Sequence, residues 1–291
     1  MTMQNDVDIL ILGAGWTSTF LIPLLEERSL TYGATTRSGR DNTIPFAFDQ
    51  DSEDSDVYSA LPGAKTIVIT FPINDKGGSE RLTRLYRETH PNSNPFWVQL
   101  GSTGIWDGGR TAPVEKKREY TWKDRHSPHQ TSNRRAIAED ELLSLSPTVK
   151  VSILNLCGLW GGSRSMRNYV GKVAPIKEAL KEKGSLHLIH GYDVSRAILA
   201  VHEQQDKAAG NRWLLTDGRI YDWWDLASAW GDGGLASQDP VPSGPHPGWV
   251  RELMDEDGIK ALPRSPEVLG RALDSREFWS TFGLSPAKAR P

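Results

Sequence analysis

Val7-Asp8-Ile9-Leu10-Ile11-Leu12-Gly13-Ala14-Gly15-Trp16-Thr17-Ser18 is the stretch that decides the fold. Its first six residues are mostly apolar and stop at Gly13-Ala14-Gly15. Such a run reads as a strand buried on both faces, as a parallel sheet requires. From Trp16 to Arg28 the pattern turns helical, with Phe20, Leu21, Leu24 and Leu25 at helical spacing. Pro23 conflicts with that helix, because beyond the first turn a proline removes a hydrogen bond and tends to kink the chain.

The alternation continues outward. Thr31 to Thr36 and, more weakly, Ile44 to Asp49 read as strands, and Lys65 to Phe71 as a buried strand ending at Pro72. Gly78 to Glu88 reads as a polar helix, Phe96 to Leu100 as the next strand, Arg134 to Leu145 as a helix and Val149 to Leu156 as a strand. Leu186 to Ile189 and Val194 to His202 supply one more strand and helix. Strands alternating with helices predict an α/β fold with a mainly parallel sheet. Two segments interrupt the pattern. Trp106 to Gln130 is polar and charged, and reads equally as a lid or as a solvated insertion. Asp232 to Gly248 is rich in Gly, Pro and Ser and reads as a linker or loop. Trp249 to Met254 and Pro266 to Phe278 read as helices, making the C-terminal third a small, mostly helical appendage.

The chain has 291 residues, enough for one large domain or two small ones. With 34 basic and 37 acidic side chains its net charge is -3, which argues against nucleic acid or an anionic membrane surface as partner. A single cysteine, Cys157, excludes a disulfide framework and a cysteine-clustered zinc site. No apolar stretch reaches the roughly 20 residues of a membrane span, and Met1 to Asp8 carries no basic leader, so a cytoplasmic protein is expected. The 11 tryptophans mark core or a large apolar ligand surface.

Gly13-x-Gly15 sits directly after a buried strand and opens a helix. A tight glycine turn lets the backbone approach a diphosphate, and the helix N-terminus offers free N–H groups. Ser18 stands where the third glycine of such a turn is expected, and is small enough for close helix–strand packing. Trp16, Thr17 and Ser18 line the entrance, with hydroxyls from Thr17, Ser18 and Thr19. Arg37 follows Gly15 by 22 residues, and no acid precedes Asp41 beside it. An arginine there accommodates a 2′-phosphate where an acid would bond a ribose hydroxyl, so NADP(H) is favoured over NAD(H). Asp49, closing the third strand, is placed to meet the adenine edge.

These pieces in order resemble the extended, atypical, NAD-dependent epimerase/dehydratase-like branch of the short-chain dehydrogenase/reductase superfamily. The resemblance rests on ILGAGWTSTF, TIVITFPI, QLGSTGIW, ILNLCGLWGG, LHLIHGYDVSRAILAVHE, GNRWLLTDGRIYDWWDLASAWG and SREFWSTFGLSP, and covers nearly the whole chain. It implies a Rossmann-type doubly wound sheet over 1–158, completed by about 185–204. A smaller substrate domain would come from 159–184 and 205–291. The nicotinamide would then lie near Thr70, Phe71 and Ser102. Ser102 falls on the family's catalytic serine, and Thr103 is its neighbour. The expected partner is a small molecule, with neither nucleic acid nor membrane, and a homodimer is compatible with this reading.

The family's Tyr-x-x-x-Lys pair is absent. Four residues beyond the seven tyrosines stand Thr36, Pro62, His90, Asp124, Val173, Arg196 and Asp225, none of them lysine. Counting back from Glu139, taken as the family's helix glutamate, puts Thr131 and Arg135 in the two places, or Arg134 if the register slips. Threonine is a poor acid, and arginine stays charged but can hold a ribose or phosphate. Three possibilities remain open. Another residue supplies the proton, from Tyr120, His126, His129, Tyr169 or His190; or water does; or the coenzyme is bound without redox chemistry. The functions that fit the scaffold are an oxidoreductase acting on a carbonyl or alcohol of a small organic molecule, with a non-redox isomerase or dehydratase, or a non-catalytic NADP-sensing regulator, as alternatives.

The remaining motifs have plainer readings. His190 and Asp193 anchor a helix start, with Asp193 near its N-cap. Asp222-Trp223-Trp224-Asp225 is core with a flanking cap, and Cys157 is core. His187-x-x-His190 lacks a third ligand, so no metal is expected. Trp106, Trp160 and residues near Tyr169 would line an apolar cleft.

Overall fold

A computed structural model describes residues 6–106, 121–230 and 244–291. Its centre is a seven-stranded sheet: β1 (Val7–Leu12), β2 (Tyr32–Thr36), β3 (Ile44–Pro45), β4 (Ala64–Ile69), β5 (Phe96–Ser102), β6 (Val151–Leu156) and β7 (Asn211–Leu215). The spatial order is β7-β6-β5-β4-β1-β2-β3, and every neighbouring pair is parallel. Strand order therefore reverses beside β1, between β2 and β4. In open α/β sheets that crevice, outside the strands' C-terminal ends, is where ligands bind.

The apolar run of β1 explains the two-sided burial. Ile9 and Ile11 face one layer, and Leu10 and Leu12 the other. The first layer contains α1 (Ser18–Glu27), through Leu21 and Leu25, and α4 (Gly191–Glu203), through Val194, Ala197 and Ile198. The second contains α2 (Gly78–Thr89), through Leu82, Leu85 and Tyr86, and α3 (Arg134–Ser144), through Ala138 and Leu142. The fold is thus a Rossmann-type doubly wound α/β sheet.

Several boundaries differ from the sequence reading for local reasons. α1 runs unbroken through Pro23, because Leu21 and Leu25 on either side of it are fully buried against the sheet. β3 ends at Pro45, well short of Asp49. The sheet is completed by Asn211–Leu215 and not by a strand within 185–204. Leu188–His190 pairs instead with Gly158–Trp160, and Ser185–Leu186 with Tyr221–Asp222. The helix expected from Pro266 to Phe278 breaks at Gly270, whose φ of 73° ends a helical turn at Leu269. Ala272–Leu273 then pairs with Trp122–Lys123, and a second helix spans Arg276–Thr281. The interruption expected from Asp232 to Gly248 lies mostly outside the described residues, and a helix over His246–Asp257 follows it.

A smaller, mostly helical cluster packs around Val170, Leu180, Trp224, Val250 and Leu253. Its polar keystone is the Asp222–Arg264 pair, with side chains 0% and 6% exposed and 2.6 Å apart. Arg264 also lies 3.8 Å from the Trp224 ring centroid, and Trp224 donates its indole N–H to the Leu180 carbonyl. The motif around Trp223 and Trp224 is therefore core, with Asp222 capping the Trp224 N–H. Removing one partner of such a pair leaves an uncompensated buried charge. Asp222→Ala is expected to lower unfolding free energy by about 3 kcal/mol, read as a shift in the urea midpoint. An unchanged midpoint would show that the pair is not a keystone.

Candidate functional site

The turn after β1 is fixed from both neighbouring strands. Gly13 and Ala14 donate their N–H groups to the side-chain oxygen and the carbonyl of Thr35, at 3.0 and 2.6 Å. The Thr70 hydroxyl donates to the Gly13 carbonyl. Gly13 has φ of 92°, and a Cβ there would come within 2.8 Å of the Thr70 hydroxyl oxygen, so the position demands glycine twice over. At Gly15 the situation is opposite. A Cβ would meet nothing closer than 3.9 Å and would project into open space, the space a ligand's diphosphate needs.

The donors match that cradle. The N–H groups of Trp16 and Thr17 find no partner among the described residues, whereas those of Ser18 and Thr19 are taken by the Gly15 and Trp16 carbonyls. The hydroxyls of Ser18 and Thr19 also turn back onto those carbonyls, which leaves Thr17 as the hydroxyl facing the cleft. Two free backbone donors at the positive end of a ten-residue helix fit an anionic group such as a dinucleotide diphosphate.

One cleft of about 430 Å³ joins this turn to the ends of β4, β5 and β6. Gly13, Gly15, Trp16, Thr17, Thr70, Phe71, Ser102 and Arg135, all singled out in the sequence, line it together. Two larger concavities, of about 900 and 760 Å³, lie between α2 and α3 and beside Trp279. Neither contains the glycine turn. Five expected residues stand elsewhere. Ser18 packs under the turn. Arg37 is exposed beyond β2, with no ion pair among the described residues. Asp49 is exposed and accepts from the Asp51 N–H at 2.9 Å. Thr103 is buried and faces Arg271. Thr131 is exposed in a turn two residues before Asn133, which caps α3. Thr131 therefore does not share the helix on which the family's tyrosine would sit.

Beneath Ser102 lies a polar network that the sequence reading did not assign to the site. Glu139, 2% exposed, accepts from the Ser102 N–H at 3.2 Å and from the Asn155 amide at 2.8 Å. Asn155 also donates to the Ser102 carbonyl at 3.1 Å. Arg212 lies 3.4 Å from the Glu139 carboxylate, and Arg135 donates to the Leu100 carbonyl at 3.0 Å. Burial pushes the Glu139 pKa up, against the pull of Asn155, the two arginines and the Ser102 N–H. A Cβ on Gly101 would come within 2.6 Å of both Glu139 and Asn155, so that glycine admits the network. The signal in the sequence was Asn155, an amide inside a mostly apolar strand whose only other polar residue is Ser152.

The alternative proton carriers are engaged elsewhere. His126 pairs with Glu277 at 2.9 Å and His129 with Asp140 at 3.0 Å. His190, and not Asp193, is the N-cap of α4: its ring Nδ1 accepts from the Tyr192 N–H at 3.0 Å. Asp193, fully buried, accepts from the N–H groups of Ala287 and Lys288 and anchors the C-terminal tail. Tyr169 is exposed, and Trp106 is core, donating to the Ser127 carbonyl. Neither lines the cleft, and nor does Trp160; its apolar wall is Phe71, Pro72, Leu100, Leu156 and Leu159. Tyr120 and most of the segment from Trp106 to Gln130 fall outside the described residues. Cys157 lines the cleft, and burial pushes its thiol well above the ordinary value. No group of three metal-ligating side chains occurs among the described residues, and no helix there is long and apolar enough to cross a membrane.

By sequence the chain matches no protein-family model and no curated protein. By structure it is similar to vestitone reductase from alfalfa, at 16% identity and a TM-score of 0.63 over 97% of this chain and 94% of that one. It is also similar to UDP-glucose 4-epimerase from Thermotoga maritima, at 16% identity and 0.58, with the same coverage. A Methylobacillus flagellatus protein provisionally assigned as an NAD-dependent epimerase/dehydratase matches at 17% and 0.59, over 94% and 91%. The chain therefore has the fold shared by these reductase and epimerase structures along nearly its whole length.

His187 is a buried titratable group outside the cleft, packed beside Leu273 and Arg271. Desolvation, reinforced by Arg271, holds its pKa down to about 3, and its Nε2 accepts from the Leu273 N–H. In the unfolded chain the ring takes a proton below pH about 6.5, whereas the folded protein does not. Stability contributed here is full above that pH and lost as pH falls toward 3. Relative to His187→Gln, the wild type should lose up to about 1.4 kcal/mol per pH unit across that window in urea unfolding. A pH-independent difference would contradict a neutral buried ring.

Proposed function

We propose that the chain binds a nicotinamide dinucleotide, NADP(H) ahead of NAD(H), and acts as an oxidoreductase or epimerase-like enzyme on a carbonyl or alcohol of a small organic molecule. One observation carries this reading. A glycine turn with two free N–H donors and a strand-end serine share a single cleft at the point where strand order reverses. The similarity to reductase and epimerase structures supports the same scaffold.

A bound nicotinamide would supply the hydride chemistry. The N–H groups of Trp16 and Thr17 hold the diphosphate, and Phe71 and Pro72 give the cleft an apolar wall. Arg37, exposed at the end of β2 with no acid beside it, is available to a 2′-phosphate. Ser102 already accepts from the Gly104 N–H at 3.1 Å, which leaves its own O–H to donate to a reacting oxygen. Glu139 and Asn155 fix the backbone on both sides of that serine, and Arg135 adds a positive charge at its foot.

A second reading has its own support. No Tyr, His, Lys, Asp or Glu lines the cleft among the described residues. On this reading water delivers the proton during turnover, or the protein binds the coenzyme as a sensor and turns nothing over. The two readings separate in one series. NADPH at a hundred times its Kd should raise stability by about 2.7 kcal/mol, seen as a higher melting temperature. If the chain is a reductase, some member of a carbonyl panel drives loss of NADPH absorbance. Ser102→Ala then lowers kcat/KM about a hundredfold with coenzyme binding retained. Coenzyme binding with no oxidation across the panel selects the sensor, and no thermal shift with either coenzyme overturns both.

A further inference from the structure

We infer that Arg164, stacked on Trp16 beside the glycine turn, clamps the coenzyme diphosphate. This inference rests on the dinucleotide reading given above and extends it to a side chain outside the nucleotide-binding half of the sheet.

Arg164 ends a two-residue turn whose flanking residues exchange hydrogen bonds. Gly161 N–H donates to the Arg164 carbonyl at 2.9 Å, and Arg164 N–H returns to the Gly161 carbonyl at 3.1 Å. Gly162, between them, has φ of 56°, a conformation that glycine takes without strain. The turn is seated on the glycine loop itself. The Trp16 indole N–H donates to the Gly161 carbonyl at 2.9 Å, and the Arg164 guanidinium lies 4.5 Å from the Trp16 ring centroid.

A close-packed stack holds it there. Phe20 sits edge-on to both Trp16 and His190, with centroids 5.0 and 5.2 Å apart. A Cβ on Gly161 would fall within 2.2 Å of the His190 Nε2, and one on Gly191 within 2.3 Å of Phe20. Neither glycine has room to change. The N-cap of α4, the first turn of α1 and the Arg164 turn therefore behave as one unit, and its outer element carries a guanidinium.

That guanidinium lines the cleft together with Gly13, Gly15, Trp16 and Thr17, is exposed, and makes no ion pair among the described residues. Among the described residues no carboxylate lines the cleft to neutralise it. The backbone donors of the turn and the guanidinium thus converge on one anionic group, with Trp16 between them. A diphosphate carries the two negative charges and the several acceptor oxygens that such a set can hold at once. Because NADPH and NADH share that diphosphate, Arg164 serves both alike, in contrast to Arg37.

The test is direct titration by coenzyme fluorescence, with ADP-ribose followed by competition. Arg164→Ala should weaken NADPH, NADH and ADP-ribose by a similar factor of about ten or more. Arg164→Lys should restore part of the loss, and both variants should keep the wild-type urea midpoint, because the side chain is exposed. Unchanged affinities in Arg164→Ala overturn the inference, as does a loss confined to NADPH, which would place Arg164 at the 2′-phosphate. If the wild type binds neither coenzyme, the underlying reading fails first and takes this inference with it.

Discussion

The structure depends on how closely the Gly13 turn approaches its neighbours. Thr35 accepts two backbone N–H groups from it, and Thr70 donates to its carbonyl. These bonds take up the N–H groups of Gly13 and Ala14, Gly15 donates its own to the Gly13 carbonyl, and the two that follow, of Trp16 and Thr17, have no partner among the described residues. A side chain on Gly13 would collide with Thr70, and the turn would have to move. The same approach brings the ends of β1 and β4 together and sets the crevice in which Ser102 and Arg135 also converge.

Much of this was legible in the sequence. The apolar runs gave the strands because a parallel sheet buries both faces of every strand. The glycine spacing marked the turn because few other residues tolerate its dihedral angle. What was not legible depended on tertiary pairing. Asn211–Leu215 completes the sheet and Leu188–His190 does not, although each is a short strand with only a few apolar residues. Only the placement of the helix between them decides which one pairs with β6. Asp49 drops out because Pro45 ends the strand early. Thr131 drops out because Asn133 caps α3 two residues later, a boundary that counting back from Glu139 could not fix. By sequence both His190 and Asp193 anchor the start of α4, and it is the His190 ring that caps it while Asp193 holds the C-terminal tail.

The site departs from its resemblance in a consistent direction. Where the short-chain dehydrogenase/reductase pattern calls for a tyrosine and a lysine, the cleft is lined by neither among the described residues, and its cationic side chains are Arg135 and Arg164. Guanidinium groups bind anions well and exchange protons poorly. Below the serine, Glu139, Asn155 and Arg212 form a buried network that orients the backbone without reaching the cleft. The arrangement favours holding an anionic ligand firmly over shuttling protons.

The central claim is that the glycine turn cups a diphosphate, and a crystal structure grown with excess NADPH tests it most directly. The account predicts diphosphate oxygens within hydrogen-bonding distance of the Trp16 and Thr17 N–H groups, with Thr70 still bonded to Gly13. An unliganded turn under saturating coenzyme, or the Trp16 indole swung into that space, would contradict it.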